Sequence, residues 1–220
     1  FTKNSNNTIP MIKPNLFTAF ISILISVLCI HSNQAYSQHS SNSSRFGLDY
    51  VFPTDPQYQN KPIAEIYSNA GLKWVNFADV KWQYFEPRKP KGNKHFYNWE
   101  KLDKAVKHWQ KHGFDITMTL RLGKSWFSGP KKVQVDVPLN LKPMAAFSDR
   151  LPKEEYEQYY KDWVSAMVER YDNDGTDDMP GLKRPVLHYQ IGNEYGNPVF
   201  FTGTVQDYFK LLQMATTAVR

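Results

Sequence analysis

The stretch "HYQIGNEYGNP", residues 188–198, carries an apolar run that stops at an amide and an acid, Asn193 and Glu194, and then turns through Gly196 and Pro198. The run completed on its N-terminal side, "PVLHYQIG" over residues 185–192, has the length and the β-branched and aromatic content of a buried strand. Asn193 and Glu194 therefore stand at a strand's C-terminal end. Working outward, three further strand and helix pairs precede this one. A strand "FGLDYVF" (46–52) leads to a helix from about Pro62 to Asn69, closed by Gly71. A second strand, "LKWVNFADV" (72–80), leads to a helix capped near Asn98, with Trp99, Leu102, Ala105, Val106 and Trp109 on one face and Gly113 at its end. A third, "DITMTLRL" (115–122), leads to a helix over about 153–171 that aligns Tyr156, Tyr160, Trp163, Met167 and Tyr171. After the fourth strand a helix opens near Thr204 and turns Tyr208, Leu211, Leu212 and Ala215 to the core.

Regular strand and helix alternation argues for an α/β fold with a parallel sheet covered by helices, either doubly wound or closed into a barrel. No G-x-G-x-x-G or G-x-x-x-x-G-K-[ST] loop follows any of the strands, which favours the barrel. A TIM (β/α)8 barrel takes about 250 residues. Residues 46–220 accommodate four units, so the expectation is the N-terminal half of such a barrel, with only the first four βα units present. Half a barrel leaves two open strand edges, and the isolated chain is expected to be aggregation-prone and inactive.

Residues 1–10 form an upstream polar segment. Residues 11–37 have the pattern of a signal peptide: Met11, Lys13, an apolar run "LFTAFISILISVLCI", then Ala35 and Ser37 at cleavage spacing. The run is shorter than the roughly 20 residues that span a bilayer as a helix, so no stable membrane span is expected after cleavage near Ser37. Residues 38–45 read as a linker. The expected location is secreted, extracellular or periplasmic, and the sole cysteine, Cys29, would leave with the leader. The formal net charge of +6 rests on lysines clustered in "EPRKPKGNKH" and "GPKKV" without a continuous basic stripe, so nucleic acid is not an expected partner.

In barrels of this kind the active site lies at the C-terminal ends of the strands. Those ends carry Asp49, then Asn76 and Asp79, then Arg121, then Asn193 with Glu194. Here "YQIGNEYGNP" resembles the fourth-strand motif of the large clan of retaining glycoside hydrolases built on the TIM barrel, which includes β-galactosidases, cellulases, mannanases and β-xylosidases. A second stretch, from Trp82 through Phe85, Glu86, Pro87, Phe96, Tyr97, Trp99, Leu102 and Asp103, resembles the "W…EP…G.Y.W..LD" run that follows the second strand in bacterial β-galactosidases. The resemblance covers about residues 46–220.

The resemblance implies that Glu194 is the general acid and base and that Asn193 binds the sugar hydroxyl beside the reacting carbon. It also implies a nucleophilic Glu at the end of a seventh strand, beyond Arg220. The chemistry fits these residue types: the leaving oxygen must be protonated as the bond breaks, and Asn193 offers both a donor and an acceptor. An acid that keeps its proton near neutral pH needs burial, which Trp126, Tyr189 and Tyr195 are expected to supply. Asp49, Arg121 and Tyr195 join the substrate-binding set. Trp82 and Trp126 are candidate platforms for sugar rings, with core packing as the alternative for each. The family's second-strand Arg is replaced here by Asn76; Arg121 is the candidate to take over its charge, the other reading being a structural ion pair.

Neither a metal nor a cofactor is expected. "HWQKH", with His108 and His112, lacks the Glu of the zinc protease motif, and "DNDGTDD" over residues 172–178 lacks the EF-hand pattern and reads as a turn. The expected substrate is carbohydrate, through a β-glycosidic bond in an oligo- or polysaccharide, with a secreted glycan-binding barrel that does not hydrolyse as the alternative.

Overall fold

The computed structural model describes residues 45–53, 55, 62–132, 139–142 and 148–219. The upstream segment, the signal segment with Cys29, and all of the linker but Arg45 lie outside the described residues. Among the described residues, no helix is long and apolar enough to cross a membrane.

Four strands, β1 (Gly47–Val51), β2 (Trp74–Lys81), β3 (Asp115–Arg121) and β4 (His188–Ile191), form one sheet in the order β1-β2-β3-β4. Every pairing is parallel. Between them run helices α1 (Ile63–Asn69), α2 (Trp82–Phe85), α3 (Glu100–Lys111), α4 (Glu157–Tyr171) and, after β4, α5 (Val205–Ala218). Consecutive strands that neighbour one another in parallel, each followed by a helix, are the repeating unit of a (β/α) barrel, and these four units form part of one. Among the described residues, no strand pairs with the outer edge of β1 or of β4.

One face of the sheet is apolar and meets the helices. Val75, Phe77 and Val80 of β2 and Ile116, Met118 and Leu120 of β3 are buried there against Leu102, Val106 and Trp109 of α3 and Trp163 and Met167 of α4. Burying each such side chain contributes about 1.5–3 kcal/mol. The other face is polar and faces the barrel interior: Asn76 Nδ2 donates to Asp49 Oδ1 at 2.7 Å, and Thr119 Oγ1 donates to Asn76 Oδ1 at 3.1 Å. At its lower end Gly47 lies under the Trp74 ring, where a Cβ would fall 2.0 Å from a ring carbon.

A register irregularity in β2 between Phe77 and Val80 decides which residues reach the interior at the top. Strict alternation from Val75 and Phe77 would send Asp79 and Lys81 to the helix face. The extra residue shifts the phase, so Val80 takes the helix face and Asp79 and Lys81 turn inward, as a β-bulge re-aims side chains.

Helix boundaries follow local chemistry. The side chain of Asn98 accepts the Glu100 N–H at 3.3 Å, although the residue that flanks α3 is Trp99. Thr204 caps α5 through a reciprocal box: Asp207 N donates to Thr204 Oγ1 at 3.2 Å, and Thr204 N donates to Asp207 Oδ2 at 2.9 Å. Burial pushes the Asp207 carboxyl up, but Lys132 Nζ at 2.6 Å and the Thr204 donors outweigh it and hold the carboxyl below its ordinary value. A carboxyl held lower in the folded state stabilises above the ordinary value of 3.8 and loses that contribution as pH falls below it. Asp207→Asn is therefore expected to cost about 1 kcal/mol at pH 7, with the melting difference from the parent closing below pH 3.8. Thermal melts across pH 2–7 check this.

Candidate active site

Because all four strands run the same way, their C-terminal ends share one end of the sheet. A cleft of about 340 Å³ opens there, lined by Tyr50, Phe52, Asp79, Lys81, Tyr84, Arg121, Val199 and Phe200. Its floor is a chain of charges. Lys81 Nζ lies 3.0 Å from Asp79 Oδ1, and Arg121 Nη1 donates to the same oxygen at 3.1 Å. On its other side Arg121 grips Asp149 with two bonds, Nε to Oδ2 at 3.0 Å and Nη2 to Oδ1 at 3.2 Å. Burial disfavours the guanidinium charge, but Asp149 and Asp79 more than restore it, so Arg121 is held above its usual range. The Gly123 N–H adds a third donor to Asp149 at 2.9 Å, in a turn whose φ of +74° suits glycine.

Arg121 thus forms a buried ion pair in the cleft floor while its side chain also lines the cleft. The Asn76 side chain is likewise engaged, between Asp49 and Thr119. Asp49 sits on the inner face one layer below the cleft floor.

Asn193 and Glu194 leave the end of β4 as expected, Asn193 half-buried and Glu194 in the left-handed backbone region at φ +43°. The expected burial of Glu194 is not met: its side chain is exposed, and Asn197 Nδ2 donates to its Oε2 at 3.0 Å. The aromatic residues expected around it are engaged elsewhere. Tyr195 lies flat on Tyr208, ring centroids 4.1 Å apart, and Tyr189 is on the helix face of β4, paired in register with Met118.

Trp82 is a correction to the expected platforms. It is fully buried, stacked on Phe127 at 4.0 Å, with Nε1 donating to Glu86 Oε2 at 2.9 Å. The phase shift in β2 explains this: with Lys81 inward, the next residue points to the helix side. Trp126 is half-buried in the same aromatic cluster, between Trp82, Tyr156 and Tyr159, and its Nε1 donates to Glu86 O at 3.0 Å. The aromatic rings that line the cleft are instead Tyr50, Phe52, Tyr84 and Phe200.

The second motif proves to be architectural. Glu86 is buried and receives both Trp82 and His95, whose Nδ1 lies 2.8 Å from Oε1. Asp103 on α3 accepts Arg170 at 3.0 and 2.6 Å and the Tyr171 hydroxyl at 2.8 Å, tying α3 to α4. At the opposite end of the sheet, the carboxylates of Asp172, Asp174 and Asp178 lie within 4.8 Å of one another, and each accepts main-chain N–H groups of its own turn.

Asp149 and Asn197 escaped the sequence reading. Asp149 lies far along a loop with no periodic signal. Lys81 and Asp79 had one: the apolar positions 75, 77, 80 and 82 are spaced two, three, two, which marks the bulge.

Parallel strands, each followed by a helix, with a charged and aromatic cleft at their C-terminal ends beside an Asn-Glu pair, place the chain among the (β/α) barrels. The chain belongs to the β-galactosidase family Glyco_hydro_42, whose model matches residues 49–215. Among solved structures it is similar to a monomeric β-xylosidase from Caulobacter crescentus CB15, at 13% identity and a TM-score of 0.55, over 79% of this chain and 33% of that one. It is similar over 79% of its length to the GH39 enzyme from Xanthomonas axonopodis pv. citri, at 15% identity, TM-score 0.52 and 32% of that chain. A glucosidase from Croceicoccus marinus is similar at 17% identity and TM-score 0.50, over 79% of this chain and 33% of that one. No curated protein matches the chain. The chain spans about a third of the length of these solved structures.

Proposed function

We propose that the protein containing this chain hydrolyses β-glycosidic bonds in oligo- or polysaccharides with retention of configuration, and that Glu194 is its general acid and base. The observation that supports this most directly is the position of Asn193 and Glu194, on the turn leaving β4 at the same end of the sheet as the cleft over Asp79 and Arg121. In the first step a second carboxylate attacks the anomeric carbon. The bond to the leaving oxygen breaks, its electron pair stays on that oxygen, and the Glu194 proton follows it. In the second step Glu194, now ionised, takes a proton from water as that water displaces the carboxylate. Asn193 holds the neighbouring hydroxyl through both steps.

The attacking carboxylate comes from beyond Arg220 in this proposal. In support, Asp79 and Asp149 are committed to Lys81 and Arg121, and Asp49 to Asn76. The elements that follow would also bury Glu194, which is exposed on the present four units, so the isolated chain is inactive. Secretion through residues 11–37 delivers the enzyme to its polysaccharide.

Proton NMR of the products formed by the full-length protein from a panel of aryl β-glycosides, β-galactoside among them, tests this reading. The β anomer of the free sugar is expected first, with the α anomer growing in by mutarotation. First appearance of the α anomer overturns retention, and no cleavage of any β-glycoside overturns the activity.

A further inference from the structure

We propose that Asn197 is a positioning residue for the Glu194 carboxylate, an inference that rests on the reading of Glu194 as acid and base. Glu194 occupies φ +43°, a region that a residue with a Cβ holds only when its surroundings fix it there. Asn197 supplies that restraint twice. Its main-chain N–H donates to Glu194 O at 2.7 Å, closing the turn, and its side-chain Nδ2 donates to Glu194 Oε2 at 3.0 Å.

The amide of Asn197 is itself oriented. Its Oδ1 accepts the Val199 N–H at 3.0 Å, so the amide end left to face Glu194 is the NH2, a donor. The segment beyond is pinned to the buried loop that holds the cleft floor. Ser148 Oγ lies 2.8 Å from Pro198 O and 2.7 Å from Val199 O. Asp149 N donates to Phe200 O at 2.8 Å, and Thr202 N donates to Asp149 O at 3.1 Å. A continuous set of bonds therefore runs from buried Asp149 through residues 198–202 to Asn197, and from Asn197 to the carboxylate.

Two consequences follow for the chemistry. An exposed Glu side chain is otherwise free among its rotamers, whereas a proton donor must stand within hydrogen-bond reach of the leaving oxygen. An N–H already directed at Oε2 also leaves Oε1 as the oxygen that carries the proton. In the bond-breaking step that proton passes from Oε1 to the leaving oxygen, and the resulting carboxylate keeps the Asn197 bond on Oε2.

The substitution that isolates this role is Asn197→Ser, made in the full-length protein. A hydroxyl on Cβ still accepts the N–H two residues on, so the loop keeps its anchor, but it is too short to reach Glu194 and adds no charge beside it. The readout is the ratio of kcat/KM for an alkyl β-glycoside, whose leaving oxygen needs the proton, to that for the 2,4-dinitrophenyl β-glycoside of the same sugar, whose leaving group departs without it. This ratio does not depend on how much of the variant is folded. It is expected to fall about 10- to 100-fold, the loss of one hydrogen bond to a charged group. An unchanged ratio overturns the proposal, including the case in which both substrates slow equally because the loop has merely loosened. Glu194→Gln in the same assay separates this from the parent reading. If Glu194→Gln leaves the ratio unchanged, the acid and base assignment itself fails; if it collapses the ratio while Asn197→Ser does not, only the positioning role fails.

Discussion

Glu194→Gln is expected to lower kcat/KM on alkyl β-glycosides by about 10²- to 10⁴-fold, the range supplied by a general acid. Gln keeps the volume and the hydrogen-bonding reach of Glu but has no proton to release at the pH of catalysis. The effect must therefore depend on the leaving group: small where a nitrophenolate departs unaided, full where an alkoxide would have to leave. Substrate binding is expected to persist, since the amide still fits beside a glycosidic oxygen, so KM should change far less than kcat. A variant that keeps more than about a tenth of the parent's turnover on alkyl glycosides removes Glu194 from the mechanism.

The second large effect concerns stability and falls on Asp149, which no sequence signal marks. Its carboxylate is buried at 3% exposure and neutralises an Arg121 that is itself 9% exposed. Removing one partner of such a pair leaves an uncompensated buried charge, and Asp149→Ala is expected to cost about 3–5 kcal/mol. Asp79 moderates the loss, because it still accepts Arg121 Nη1 at 3.1 Å, but it is already shared with Lys81. Urea unfolding of the full-length protein measures the cost. A loss under about 1 kcal/mol would mean that the pair is held apart from the rest of the fold's stability. Pairing the change with Arg121→Met is expected to recover most of the loss, since two apolar side chains of similar volume replace the buried pair.

The two variants separate two halves of the same region. Gln at position 194 keeps the shape of Glu and an oxygen that accepts from Asn197 Nδ2, so this replacement should leave the melt nearly unchanged while turnover collapses. Asp149 is buried and touches the loop that carries residues 198–202, so its replacement should lower the melt first.

Much of this was legible in the residues. The four apolar runs became four parallel strands because a continuous or alternating apolar pattern can be satisfied only by burying that face, and the helices between them carry the complementary stripe. Thr204 announced the start of α5, since a cap is a bond between neighbours in sequence, and the structure adds Asp207 as its reciprocal partner. The Asn193-Glu194 pair falls at the end of β4 because the apolar run stops there and Gly192, at φ +71°, turns the chain.

What the sequence by itself determined is therefore what local interactions determine: the order and kind of elements, the end of the sheet on which polar residues collect, and the place of Glu194 at that end. Only the tertiary structure decided which side chains meet. The phase shift in β2 buried Trp82 and turned Asp79 and Lys81 to the cleft, and Asp149 came from a distant loop to grip Arg121, 28 residues away. Whether a tryptophan is a platform or a core residue, and whether an arginine is a free charge or half of an ion pair, depends on partners far along the chain. Periodicity says which residues share a face, but it carries no information about what comes to cover it.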